Sequence, residues 1–270
     1  MIETPQWCKV HIKVEYPPSN LIPFEEWFYN TYEGDVSDRE YLPIFWTSVY
    51  VNNNYGKDQY TLNQLQSFID KLDKNKKYFT IIQYDDSILN DVSGIDLYQF
   101  NMSKPYDYPL PLIGQPHPYV FNEEKKYIAS FVGNMTHPIR EHAKTLKGKE
   151  GYYISFDNHS PEEYCRIIAQ SHFTLCYRGY GINSFRIAEA LQYGSIPVYI
   201  SDQWMMPHNT NFQEYGILCT EIADVDEILK TLPSWNYEYK KKIIPKIYKE
   251  LYTYEGTKNK ILNHLKNGVD

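Results

Sequence analysis

The residues whose types and spacing suit chemistry lie between positions 173 and 207. Phe173-Thr-Leu-Cys-Tyr177 has the composition of a buried strand. It runs into Arg178-Gly179-Tyr180-Gly181, and Asn183 or Ser184 then stands where the cap of a following helix belongs. Two glycines let the backbone approach a ligand closely. A helix N-terminus adds unpaired N–H groups and a partial positive charge. An arginine beside both makes an anion site suited to a diphosphate. Glu189 lies too far into the helix to cap it and is placed to accept two hydrogen bonds from a ribose diol, as the acidic residue of a dinucleotide fold does. The plainer readings make Arg178 a surface charge and Glu189 an ion-pair partner of Arg186 at i,i+3.

The surrounding pattern is that of an α/β protein. Apolar residues at 62, 65, 68, 69 and 72 predict an amphipathic helix, and Tyr78–Gln83 predicts a buried strand ending at Tyr84-Asp85-Asp86. Leu42–Val51 is aromatic and β-branched, a strand bounded by Pro43 and Asn52-Asn53-Asn54. Pro105, Pro109, Pro111, Pro116 and Pro118 mark an extended connector and the natural domain boundary. Beyond it, Lys126–Val132 reads as a strand, Gly133–His137 as a turn, and Pro138 as the start of a helix with Arg140 and His142. Tyr152–Phe156 is a strand, and Ser160-Pro-Glu-Glu163 is a capping box. Ser184–Tyr193 is a helix closed by Gly194, and Ile196–Ile200 is a strand ending at Ser201-Asp202. Tyr237–His264 reads as helical apart from Pro245. Strands alternating with helices imply a parallel sheet with ligands at the strands' carboxyl ends.

Leu175-Cys-Tyr-Arg-Gly-Tyr-Gly181 and the run Ser184-Phe-Arg-Ile-Ala-Glu-Ala-Leu-Gln-Tyr-Gly-Ser-Ile-Pro-Val-Tyr-Ile-Ser-Asp202 resemble the signature of exostosin-like glycosyltransferases. Phe131-Val-Gly-Asn-Met-Thr-His-Pro-Ile-Arg140 resembles that family's upstream turn. The likeness covers residues 126–208 well and the first 120 only loosely. It implies a GT-B-like fold of two Rossmann-like domains facing a cleft: residues 1–122 on the acceptor side, 123–245 binding the nucleotide sugar, and 246–270 a C-terminal helix returning to the first domain. It further implies transfer from a UDP-sugar with inversion and without a tightly held metal. By motif position, Arg140 and Arg178 would contact the diphosphate, Glu189 the ribose, and Ser184 with its helix N-terminus a phosphate. Arg186 would serve the donor or hold Glu189 in place. Gly133, His137 and Asp202 are further candidates for the cleft, with His137 beside Arg140. Among the donors that such families use, a neutral sugar is taken here, with UDP-xylose as the choice; the acceptor is read as a glycan.

Inversion needs a base on the face opposite the leaving group. Asp85 and Asp86, at the tip of the best strand in the first half, are the candidates, with Glu33, Asp35 and Asp38 as alternatives. His117, near the connector, could line the cleft, and Tyr177, Tyr180 and Trp204 could stack on a base or sugar. A metal-dependent transferase of GT-A type would rely on Asp224-Val-Asp226, the only Asp-x-Asp. Asp224 reads better as a helix cap with Glu227 three residues on, so no metal is expected. A third reading is a carbohydrate-binding protein without catalysis.

Composition narrows the partners. The chain has 270 residues, enough for two small domains, and a formal net charge of −7. No dense basic stripe exists, which argues against nucleic acid. No run of 18 or more apolar residues suggests a membrane span, and Met1–Pro5 does not read as a signal peptide, so a cytoplasmic protein is expected. Cys8, Cys165, Cys176 and Cys219 lack disulfide or zinc spacing. Arginine is scarce: Arg39, Arg140, Arg166, Arg178 and Arg186 are the only five among 27 basic residues. Three of them fall in the two segments above, where planar multidentate donors would meet a diphosphate.

Overall fold

The structure is a computed structural model that describes residues 1–13, 22–34, 36–219 and 225–268. Asp35 and Asp224 lie outside the described residues. The chain forms two compact units, residues 1–115 with 254–270, and residues 116–253.

The first unit contains α1 (Phe24–Thr31), β1 (Glu40–Tyr41), α2 (Trp46–Asn52), α3 (Gln59–Ile69), β2 (Lys77–Ile82), β3 (Asp96–Asn101) and β4 (Tyr108–Pro109). Its strands lie in the order β1-β2-β3-β4, all parallel. Aromatic rings fill the core, with Tyr41 stacked on Phe79 at 5.0 Å and Phe100 edge-on to Phe79 at 6.0 Å. The helix expected near 62–72 is α3, started by Asp58, whose carboxylate accepts from the Thr61 N–H.

The strand expected over 42–51 is instead mostly α2. The parallel pairing stops at Tyr41, just before Pro43, and the chain turns into a helix. Three features hold it there. Trp46 is fully buried, and its Nε1 donates to Thr80 Oγ1 at 2.9 Å. Glu25, from α1, accepts from the Thr47 N–H at 2.9 Å and so caps α2 across the fold. Tertiary contacts here override the β-propensity of the segment.

The second unit runs β5 (Tyr127–Val132), α4 (Glu141–Leu146), β6 (Tyr152–Ser155), α5 (Pro161–Ala169), β7 (Ser171–Tyr177), α6 (Phe185–Gln192), β8 (Ile196–Ile200), α7 (Phe212–Tyr215), β9 (Ile217–Cys219), α8 (Val225–Thr231) and α9 (Ser234–Leu251). Its sheet is wholly parallel in the order β6-β5-β7-β8-β9. The α/β class and the pair of Rossmann-like parallel sheets expected from the sequence are both present. Strands β7 and β8 are buried on both faces, as strands covered by crossover helices must be.

The unit boundaries fall at 115/116 and 253/254, not at 122 and 245. The connector's second half is strapped to α6. Gln192 accepts from the His117 N–H at 3.1 Å and donates to the His117 carbonyl at 2.8 Å, and the Tyr193 hydroxyl donates to the Tyr119 carbonyl. At the other end, α9 continues through Pro245, and the break comes at Tyr252-Thr253. The last helix, α10 (Tyr254–Lys266), belongs to the first unit. There Tyr254 donates its hydroxyl to the Ile22 carbonyl at 2.7 Å and packs edge-on to Phe24, while His264 Nε2 lies 2.8 Å from the Tyr98 hydroxyl.

Candidate active site

A parallel sheet of order β6-β5-β7-β8-β9 has one topological switch point, between β5 and β7. There the connections leave to opposite sides and open a crevice at the carboxyl ends. The loops that leave β5 and β7 at that point are residues 133–140 and 178–184. They carry Gly133, His137, Arg140, Arg178, Gly179, Gly181 and Ser184, and the next strand contributes Asp202 just beyond its end. These sequence candidates therefore gather at one edge of one sheet.

Arg140 is buried. Its Nε donates to the Arg178 carbonyl at 2.9 Å and its Nη1 to the Asn134 carbonyl at 2.6 Å, which ties the two loops together. Its Nη2 faces Gly179, where a β-carbon would sit 3.2 Å away. Burial, then the nearby Arg186 guanidinium, lowers the Arg140 pKa to about 10, so it stays a cation at neutral pH. Arg178 is buried too. Its Nη1 reaches Asp202 Oδ1 at 2.7 Å and its Nη2 the Tyr180 carbonyl at 3.2 Å, but its buried Nε has no hydrogen-bond partner.

Arg186 does not ion-pair with Glu189, which corrects the plainer reading. It turns back over the Phe131 ring, 5.0 Å from the centroid, and donates through Nη2 to the Val132 carbonyl at 2.8 Å. Gly133 makes room for it, since a β-carbon there would stand 2.2 Å from that Nη2. Arg140 lies over the same ring at 5.8 Å. Among the described residues, neither Arg140 nor Arg186 forms a carboxylate ion pair. Three guanidinium groups share one edge with a single carboxylate partner, and burying unbalanced charge is costly unless an anion completes it.

Ser184 occupies the cap position of α6, yet its side chain makes no capping bond. Its Oγ points to the Tyr177 carbonyl at 3.4 Å, and its own N–H donates to Asn183 Oδ1 at 2.9 Å. The N-terminus of α6 thus takes no bond from the Ser184 side chain. A phosphate oxygen suits that place.

Glu189 is fixed from two sides. Its Oε1 lies 3.2 Å from His117 Nε2, and its Oε2 accepts from the Tyr164 hydroxyl. Burial pushes its carboxyl up, but His117, Tyr164 and Arg186 together outweigh this and hold it below the usual range. Burial pushes His117 down, yet Cys165 and Glu189 raise it to about 10. The two side chains therefore meet as a cation and an anion. A carboxylate has lone pairs to spare beyond these two contacts, and a diol can use them. Tyr164 was missed in the sequence: a tyrosine on the preceding helix carries no local sign of this partner. His117 was seen near the connector but not as Glu189's partner.

Other candidates take simpler roles. His137 Nδ1 accepts from the Ile139 N–H at 3.2 Å and caps a short 3-10 turn. Tyr177 is buried with its hydroxyl on His142, whereas Tyr180 is exposed. Trp204 packs between Tyr199 and Phe212. Asp226 is engaged by the Tyr152 hydroxyl at 2.6 Å and by Lys149 and Lys230, and these partners hold its carboxyl at about 2. That network leaves it poorly suited to a metal. Among the described residues no group of three or more His, Cys, Asp or Glu could hold a metal ion, and no helix is long and apolar enough to cross a membrane. All four cysteines are buried and none forms a disulfide.

Asp85 and Asp86 lie in the first unit, in a turn just past the carboxyl end of β2. Asp85 is half-buried and Asp86 exposed. The turn's base is well held: the Gln83 N–H donates to Glu25 at 2.7 Å, Gln83 Oε1 accepts from the Phe24 N–H, and Ser103 Oγ bonds the Tyr84 carbonyl.

The profile of the exostosin GT47 domain matches residues 93–233, just over half of the chain. The chain belongs to the exostosin GT47 glycosyltransferase family. The matched segment begins within the first unit and contains the whole arginine cluster. An Exostosin-1 homolog of Caenorhabditis elegans is 29% identical over 171 residues, covering 47% of this chain and 45% of its own length. Exostosin-1 of Drosophila melanogaster is 29% identical over 99 residues, 34% of this chain and 13% of its own. This exostosin-family chain thus spans less than half the length of these relatives. Solved structures are more distant: the GtfA/B complex is 11% identical, with a TM-score of 0.38 over 80% of this chain and 49% of its own.

Proposed function

We propose that this chain transfers a sugar, with inversion, from a UDP-sugar to a glycan hydroxyl. The observation that carries the reading is the meeting of Arg140, Arg178 and the N-terminus of α6 at the switch point, with more positive charge than its neighbours neutralise. A diphosphate supplies the missing negative charge, and Glu189 offers acceptor atoms to the ribose. In the reaction, a base takes the proton of the acceptor hydroxyl, its oxygen forms the new bond to the anomeric carbon, and the bond from that carbon to the diphosphate breaks on the opposite face. The arginines and the helix end then hold the charge that builds on the leaving diphosphate, fixed donors that need no reorganisation. Asp85 or Asp86 is the proposed base, and UDP-xylose the proposed donor. Metal-independence is part of the proposal, since guanidinium groups do the neutralising.

A panel of UDP-sugars tests this by thermal stabilisation and by turnover, with and without EDTA. The expected results are a higher melting temperature with UDP, turnover unaffected by EDTA, and a product of inverted anomeric configuration by NMR. Arg178→Ala is expected to lower turnover by about a hundredfold or more, the cost of removing one preorganised charge donor. An unchanged melting temperature with every UDP compound would overturn the donor site.

A further inference from the structure

We infer that Asp202 competes with the donor's diphosphate for Arg178 and thereby sets which anions the site accepts. The inference rests on the donor reading above. In the structure the Asp202 carboxylate already occupies part of the fork that a phosphate would use, with Oδ1 2.7 Å from Arg178 Nη1. The two partners are unlike in burial. The Arg178 side chain is 9% exposed and Asp202 is 55% exposed. Arg178 is held from the rest of the loop, through the Tyr180 carbonyl, whereas the Asp202 carboxylate sits at the solvent side. The Arg178 side chain, more than nine-tenths buried, also keeps an unpartnered Nε donor. Asp202 does not satisfy the guanidinium fully, and a ligand with several acceptor oxygens would.

The backbone around Asp202 is anchored on both sides. Ser201 is buried and its Oγ accepts from the Gln203 N–H at 3.2 Å, and Trp204 packs against Tyr199 at 4.7 Å and Phe212 at 4.8 Å. Rotation of one side chain is enough to release Arg178, without movement of the loop. His137 lies close enough to lower the Asp202 carboxyl, after the larger effect of the Arg178 hydrogen bond. A ligand must bring enough negative charge to displace a carboxylate that is already in place. Pyrophosphate and a nucleoside diphosphate do so, and an uncharged nucleoside does not. Asp202 is thus a specificity-determining residue for the diphosphate, not a catalytic one.

Calorimetric titration of the wild-type chain, Asp202→Asn and Asp202→Glu with UDP, pyrophosphate and uridine tests this. Thermal melting confirms that each variant is folded. Asp202→Asn is expected to bind UDP and pyrophosphate about fivefold more tightly, which is what losing an exposed competing ion pair delivers. Uridine affinity should not change, and Asp202→Glu, which keeps the charge, should stay near wild type. Unchanged or weaker UDP binding by Asp202→Asn, with UDP bound by the wild type, overturns the inference alone. Weaker binding would make Asp202 an orienter of Arg178. UDP binding by neither protein overturns the donor reading and this inference together.

Discussion

Glu189 and His117 show how a single residue's role depends on partners distant in sequence. On α6 alone, Glu189 has Arg186 as its natural i,i+3 neighbour, but the structure gives it His117 and Tyr164 instead. The His117 pKa stands above its unfolded value of about 6.5, so this group's contribution to stability is complete below pH 6.5 and lost as pH rises through about 10. The depressed Glu189 behaves in the opposite sense. Its contribution is complete above its unfolded value and is lost on acidification. His117→Gln is therefore expected to destabilise the chain by about 3 kcal/mol at pH 7, the cost of leaving one member of a buried pair without its counter-charge. The deficit should shrink as pH approaches 10. Urea unfolding of both proteins at pH 7 and pH 9.5 measures it, and an equal deficit at both pH values would dismiss the charged pair.

At the scale of an element, α2 is informative because its own sequence does not specify it. Its start has no side-chain cap from the adjoining residues, and Glu25 supplies one from α1. Glu25 also accepts from Thr47 Oγ1 and from the Gln83 N–H, so one carboxyl holds a helix and the base of the Asp85-Asp86 turn. Full burial pushes its pKa up to about 8, and the three donated hydrogen bonds pull it back only in part. The raised value means its contribution is complete below about pH 4.5 and is lost as pH rises through 8. Glu25→Ala leaves two buried backbone donors unpaired and is expected to cost about 3 kcal/mol. The difference from wild type should narrow between pH 5 and 8. A series of urea midpoints across that range checks both the size and the slope.

For the molecule as a whole, the chain leaves its first unit at residue 115 and comes back to it at residue 254. α10 completes that unit's core through Tyr254, Ile261 and Leu265, all buried, and Lys258 donates to the Thr31 carbonyl at 2.6 Å. Removing residues 254–270 is expected to raise hydrogen exchange in α1 and β3 many-fold while leaving β5, β7 and β8 protected. Equal loss of protection in both units would contradict this division of the chain.

Much of the candidate site's chemistry could be read from the sequence. Arg178 before two glycines, a cap position and a carboxylate within the next helix are local features, and local features report backbone conformation and charge directly. The parallel α/β class followed from the alternation of strand and helix patterns for the same reason. The sequence could not say that Arg140 and Arg178 interlock through the Arg178 carbonyl, that Arg186 turns away from Glu189, or that the Ser184 side chain does not cap its helix. It also misread 42–51 as a strand. Those outcomes depend on contacts between residues tens of positions apart, where burial and unsatisfied backbone groups outweigh propensity. By itself, then, the sequence determined the class of the fold and the kinds of group at the arginine-bearing edge. Only the tertiary structure decided which of those groups pair with one another and which are left with charge to offer a ligand, because the order in which strands assemble is set by long-range packing.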